Sequence, residues 1–113
     1  MVRSGGRIRI VLVTCGSQLE ARRIARKLVE ARLAACVNIV SAPVESIYRW
    51  KGKLEAAREL LLVIKTAASR LGALEKEIKK LHSYEVPEFL VLSVSAGSAD
   101  YLKWLGESVK VGE

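Results

Sequence analysis

Between Arg7 and Cys15 the chain reads RIRIVLVTC, with Ile8, Ile10 and Leu12 on one face of an extended segment and Val11 and Val13 on the other. A short β-branched run that is apolar on both sides predicts a buried first strand. The period then changes. Ile24, Ala25, Leu28, Ala31 and Leu33 recur at helical spacing between Leu19 and Leu33, with the arginines largely opposite them. That pattern predicts an amphipathic helix lying on one side of a sheet. Its start is marked by Ser17-Gln18-Leu19-Glu20. In such a capping box the Ser17 hydroxyl accepts from an early helix amide and the Glu20 carboxylate reaches back to the Ser17 amide.

Ala34 to Trp50 (AACVNIVSAPVESIYRW) reads as a long second strand interrupted near Pro43. Proline cannot donate to a ladder, so a bulge or edge position is expected there. Lys51-Gly52-Lys53 supplies a tight turn with glycine where a hairpin wants positive φ, and Leu54 to Thr66 (LEAARELLLVIKT) returns as the third strand. Residues 55–59 of that return fit a helix equally well by propensity. Leu71, Leu74, Ile78 and Leu81 mark a second amphipathic helix, with Ser69 as its expected cap. Phe89 to Ser95 is the fourth strand, and Ser98 with Asp100 opens a short last helix carrying Tyr101, Leu102, Trp104 and Leu105.

The order is therefore β-α-β-β-α-β-α. Two right-handed crossovers give an α+β, ferredoxin-like βαββαβ domain: a four-stranded antiparallel sheet with two helices on one face and a short C-terminal helix. The first and fourth strands are not expected to be neighbours at its centre. Residues 1–6 read as a flexible N-terminal extension and 7–113 as the single domain. The opposite sheet face and a hairpin apolar on both sides need another cover, which in a chain of this length is a second copy.

Composition narrows the function classes. Half of the 113 residues are apolar and 27% are charged, a globular balance. The longest aliphatic run, Leu60 to Ile64, is far too short to span a membrane, and residues 1–7 begin no apolar leader, so a soluble, unprocessed protein is expected. Two cysteines, Cys15 and Cys36, do not make the dense framework of a small secreted scaffold, which points to a reducing compartment, the cytoplasm. The net charge of +7 raises nucleic acid as a partner. However, Arg22, Arg23, Arg26, Lys27 and Arg32 read as a solvated helix face, and the third strand holds no aromatic on which a base could stack. RNA binding in the manner of a basic ferredoxin-like sheet is therefore not expected. Nor is catalysis: no phosphate-binding glycine loop follows a strand, and no nucleophile accompanies the His82, Glu85 and Glu88 grouping.

Several separated motifs carry a family resemblance: Leu33 to Ile39 (LAACVNI), Tyr48-x-Trp50-x-Gly52-Lys53, Ile64-Lys65-Thr66, His82-x-Tyr84-x-x-Pro87-Glu88 and Tyr101-Leu102-x-Trp104-Leu105. In this order and spacing the chain resembles the CutA family over about Ile8 to Val109. The resemblance implies a homotrimer whose long hairpins pair with neighbouring subunits, and a role in divalent-ion, especially copper, tolerance. It also implies copper ligation by Cys15 and His82, with a third donor to come from Cys36, Glu59, Glu85, Glu88 or water. Soft sulfur and imidazole nitrogen suit copper and zinc. On the residues alone, Cys15 reads equally as a small buried hydrophobe and His82 as a cation at a helix C-terminus. The family's usual proline after the histidine is Ser83 here, and a usual acidic position is Ala57. A trimer of this layout also resembles signalling proteins of the PII type, which makes a small-ligand sensor the rival reading.

Overall fold

A computed structural model describes residues 1–110; the last three residues of the expected domain, 111–113, lie outside the described residues. The predicted first strand is β2 (Ile8–Cys15), followed by α1 (Gln18–Glu30), β3 (Cys36–Trp50), β4 (Lys53–Ala67), α2 (Leu71–Leu81), β5 (Leu90–Ser93) and α3 (Ala99–Ser108). Two further short strands, β1 (Val2–Ser4) and β6 (Ala96–Ser98), flank them in sequence. The main sheet is antiparallel in the order β3-β4-β2-β5. Both α1 and α2 bury their apolar stripes on one face of it: Ala21, Ile24, Leu28, Leu74 and Ile78 pack with Val11, Val13, Leu62 and Ile64. On the other face α3 covers one end, where Leu102 and Leu105 meet Ile8, Ala35 and Ala67.

Local signals explain the element ends. Ser17 Oγ accepts from the Glu20 amide at 3.1 Å, and Ser98 Oγ accepts from the Tyr101 amide at 3.3 Å, so both serines cap as their positions predict. The β3–β4 ladder breaks between Val40 and Val44, around Pro43. Lys51 and Gly52 both have positive φ, 51° and 80°, the geometry of a type I′ hairpin turn. The helix alternative for residues 55–59 is not taken, because every residue from Val44 to Trp50 finds a partner across the hairpin.

Three expectations are corrected. Ser69 does not cap α2: Ala68–Arg70 forms a 3-10 turn and the helix starts behind Arg70 with no side-chain cap. Residues 1–6 are not a free extension, because Val2–Ser4 pairs antiparallel with Ala96–Ser98. Gly5 is required beside that ladder, since a Cβ there would lie 1.8 Å from the Val94 carbonyl oxygen. The first and fourth strands are direct neighbours, with Ile10 opposite Leu92 and Leu12 opposite Leu90. The two cysteines are free, as their small number implies: Cys15 lies across from Leu60 and Cys36 across from Lys65. Five residues along β4 put the two thiols on opposite faces and about 17 Å apart, so they cannot bridge.

The hairpin is longer than its support. β2 pairs only with Leu60–Ala67, so Lys53–Glu59 and Val44–Trp50 project as a two-stranded arm. Ile47, Tyr48, Trp50 and Leu54 are exposed on it.

Candidate functional site

Where the arm leaves the sheet, a cleft of about 740 Å³ opens between Thr14, the arm residues Ser46, Ile47, Tyr48 and Trp50, Glu59 of β4, and the segment Tyr84–Glu88. Its inner wall is fixed by hydrogen bonds from three successive residues. His82, whose side chain is fully buried, places Nε2 2.7 Å from the Thr14 carbonyl oxygen at the end of β2. The Ser83 amide donates to Glu20 Oε2 of α1 at 2.8 Å. The Tyr84 hydroxyl donates to Glu59 Oε2 at 2.7 Å, and the Tyr84 amide donates back to His82 Nδ1 at 3.0 Å. Glu20 thus serves the loop: only the Ser17 half of the expected capping box forms, because the Glu20 carboxylate binds Ser83 instead of reaching back to the Ser17 amide.

The acids of the cleft differ in exposure, Glu85 open to solvent and Glu88 half-buried. Glu59 is only 6% exposed. Burial, and then the Glu59 charge, push the Glu88 carboxyl above its ordinary value. Burial also raises the Tyr84 phenol, reinforced by its bond to Glu59, so the hydroxyl is a fixed donor. Burial on its own would raise Glu20, but hydrogen bonds from the Ser83 side chain and amide hold it below the usual carboxylate range. Because the folded pKa of Glu88 lies above the unfolded one, its contribution is fully present below the unfolded value and is lost as pH rises through the folded value. Glu88→Gln is therefore expected to raise the melting temperature by a few degrees at pH 7 and to make little difference at pH 4. Calorimetry at the two pH values in chelator-treated buffer checks this; a lower Tm at pH 7 would contradict it.

Of the two metal candidates, Cys15 is fully buried on the helix-covered face. Burial, followed by the nearby Glu20 charge, pushes its thiol up to about 11. That shift disfavours the thiolate, the form that binds metal. In a Cys36→Ser variant Ellman's reagent is expected to find no reactive thiol at pH 7 until denaturant is added; rapid native reaction would contradict the burial. Both ring nitrogens of His82 are engaged by backbone groups. Among the described residues, no three His, Cys, Asp or Glu side chains are grouped to hold a metal ion. Cys15 and His82 share the end of β2, yet as placed they do not fit copper ligation within one chain. Tyr84 and Glu20 are the site residues that the sequence pattern did not single out for these contacts; the signals were the His-x-Tyr pair and the third position of the capping box.

An antiparallel β3-β4-β2-β5 sheet with both crossover helices on one face defines a ferredoxin-like α+β domain, here carrying an acidic and aromatic cleft at the root of its hairpin. The sequence matches the CutA1 divalent ion tolerance protein family over residues 9–108, and the chain belongs to that family. It is 48% identical to the divalent-cation tolerance protein CutA of Thermus thermophilus over 88% of this chain and 95% of that one. It is 46% identical to a CutA homolog of Xenopus laevis over 92% of this chain and 68% of the other. The structure of CutA from Synechococcus elongatus superposes with a TM-score of 0.91 at 36% identity, covering 97% and 96% of the two chains. That cyanobacterial protein has also been solved with a Bis-Tris molecule, at a TM-score of 0.87 and 36% identity over 96% of this chain and 99% of that one. The family is named for tolerance of divalent ions rather than for a reaction. No helix among the described residues is long and apolar enough to cross a membrane.

Proposed function

We propose that this protein serves divalent-cation tolerance as a non-catalytic, cytoplasmic homotrimer that holds cations in the cleft at the root of each arm. The observation that carries this reading is the pair Glu59 and Glu88, one carboxyl buried and the other half-buried, lining one open cleft on a chain whose net charge is +7. A bound cation would offset the desolvation and mutual repulsion that push Glu88 up. One chain supplies too few donors, so the remaining ligands come from a neighbouring copy or water. The family association extends to copper, but these oxygen donors suit harder divalent ions better.

Two separate uncovered surfaces support the assembly. The arm is a two-stranded ribbon, marginal in water by itself. Leu90 and Leu92 are exposed beside Ile10 and Leu12 on the sheet face that α3 leaves open. Different patches on one chain favour a head-to-tail ring over an isologous dimer. Two free thiols that cannot pair fit a reducing compartment.

Native mass spectrometry under reducing conditions, before and after addition of copper, zinc and manganese, tests the proposal. A trimer that takes up ions, and loses them in the Glu59→Gln/Glu88→Gln variant, is the expected result. A bare trimer or a monomer would overturn it, and loss of copper only on Cys15→Ser would return the site to the thiol.

A second reading, a small-ligand sensor of PII-like layout, is favoured by the Bis-Tris complex of the Synechococcus relative. Bis-Tris is a hydroxylated amine, and Glu59, Glu88, Tyr48 and Trp50 line a cleft of suitable chemistry in this chain. Calorimetric titration with such an amine separates this reading from ion binding.

A further inference from the structure

We infer that His82 is a positioning residue, a neutral hydrogen-bond bridge that builds the cleft wall, and not a ligand for metal. The Thr14 carbonyl can only accept, so Nε2 carries the ring proton; the Tyr84 amide can only donate, so Nδ1 is bare. These two bonds fix one tautomer and leave no lone pair directed at solvent or at an ion. The ring is wholly buried, and the Tyr84 ring lies against it at a centroid distance of 4.5 Å.

The bridge acts through Tyr84. Once its amide is held by Nδ1, the phenol reaches Glu59 across the cleft floor, while Ser83 between them is held by Glu20. Residues 82, 83 and 84 are thereby tied to β2, α1 and β4 in turn. A metal ion taking either ring nitrogen would release the Thr14 carbonyl or the Tyr84 amide, and with it the wall. Ligation at His82 and an intact cleft are therefore alternatives. The inference adds the origin of the wall to the proposed cleft and stands on ring geometry whether or not the cleft binds a cation.

The chain has one histidine, so its ring signals need no assignment. In protein labelled with nitrogen-15, long-range proton–nitrogen spectra are expected to show the tautomer protonated at Nε2, unchanged by one equivalent of zinc per chain. The opposite tautomer, or a ring nitrogen displaced by zinc, would overturn the assignment. The second measurement follows the Tyr84 hydroxyl proton, which its bond to Glu59 protects from exchange. Its resonance is expected in the wild type and in His82→Asn, whose side-chain oxygen can replace Nδ1 as acceptor, and should vanish in His82→Ala. Persistence in a folded His82→Ala variant would show that the ring does not position Tyr84. Should that variant fail to fold, the zinc titration of the wild type still decides.

Discussion

Leu62→Ala is expected to remove about 3–4 kcal/mol of unfolding free energy, in the upper part of the range for a fully buried leucine cut to alanine. Leu62 is wholly inaccessible at the middle of β4, paired with Val13 on one side and Ile39 on the other. Ile24 and Leu28 from α1, and Leu74 and Ile78 from α2, belong to the same cluster. Collapse into the gap would have to move a central strand and both helices together, so little of the cavity can close. Leu62→Met keeps most of the volume and should cost less than about 1.5 kcal/mol. Guanidinium unfolding at one fixed chain concentration, which keeps any contribution from the proposed assembly constant, measures both. A Leu62→Ala loss below about 1 kcal/mol would mean that the two helices do not share this core.

That core was legible because its signals are local. A change of hydrophobic period separates β2 from α1, Ser17 and Ser98 announce helix starts, and Lys51-Gly52 announces the hairpin. What escaped depends on partners distant in sequence. Val2–Ser4 has no alternation of its own and becomes a strand only because Ala96–Ser98 lies beside it. Ser69 is a good capping residue, but the 3-10 turn at Ala68–Arg70 moves the helix start past it. The adjacency of the first and fourth strands follows from the split crossovers, and missing it left the relation of Cys15 to His82 open.

The candidate site divides along the same line. Residue types pointed to His82, Glu59, Glu85 and Glu88 as groups able to bind something. The sequence could not show that the partners of His82 are the Thr14 carbonyl and the Tyr84 amide, because main-chain groups are the same at every position. Nor could it show that Cys15 lies fully buried in the core between sheet and helices, where burial raises its thiol.

Introducing charge on the open sheet face should have the largest effect on assembly. Leu90 and Leu92 are 57% and 47% exposed, and their cross-strand partners Leu12 and Ile10 point to the same side. None of them belongs to the core between the sheet and its two helices, which includes Val11 and Val13 from the alternate positions of β2. Leu90→Glu/Leu92→Glu should therefore leave the chain folded while placing two carboxylates where the proposed neighbour packs. Burying an unpaired charge costs several kcal/mol, and three equivalent contacts would each bear it. Light scattering after gel filtration is expected to show three chains for the wild type and a single folded chain, with unchanged far-ultraviolet circular dichroism, for the variant. If the variant stays trimeric, this face is not what the copies cover and the arm alone must hold them. If the wild type is itself a single chain, the open face and the arm are solvated surfaces, and the cleft must complete its cation shell with water.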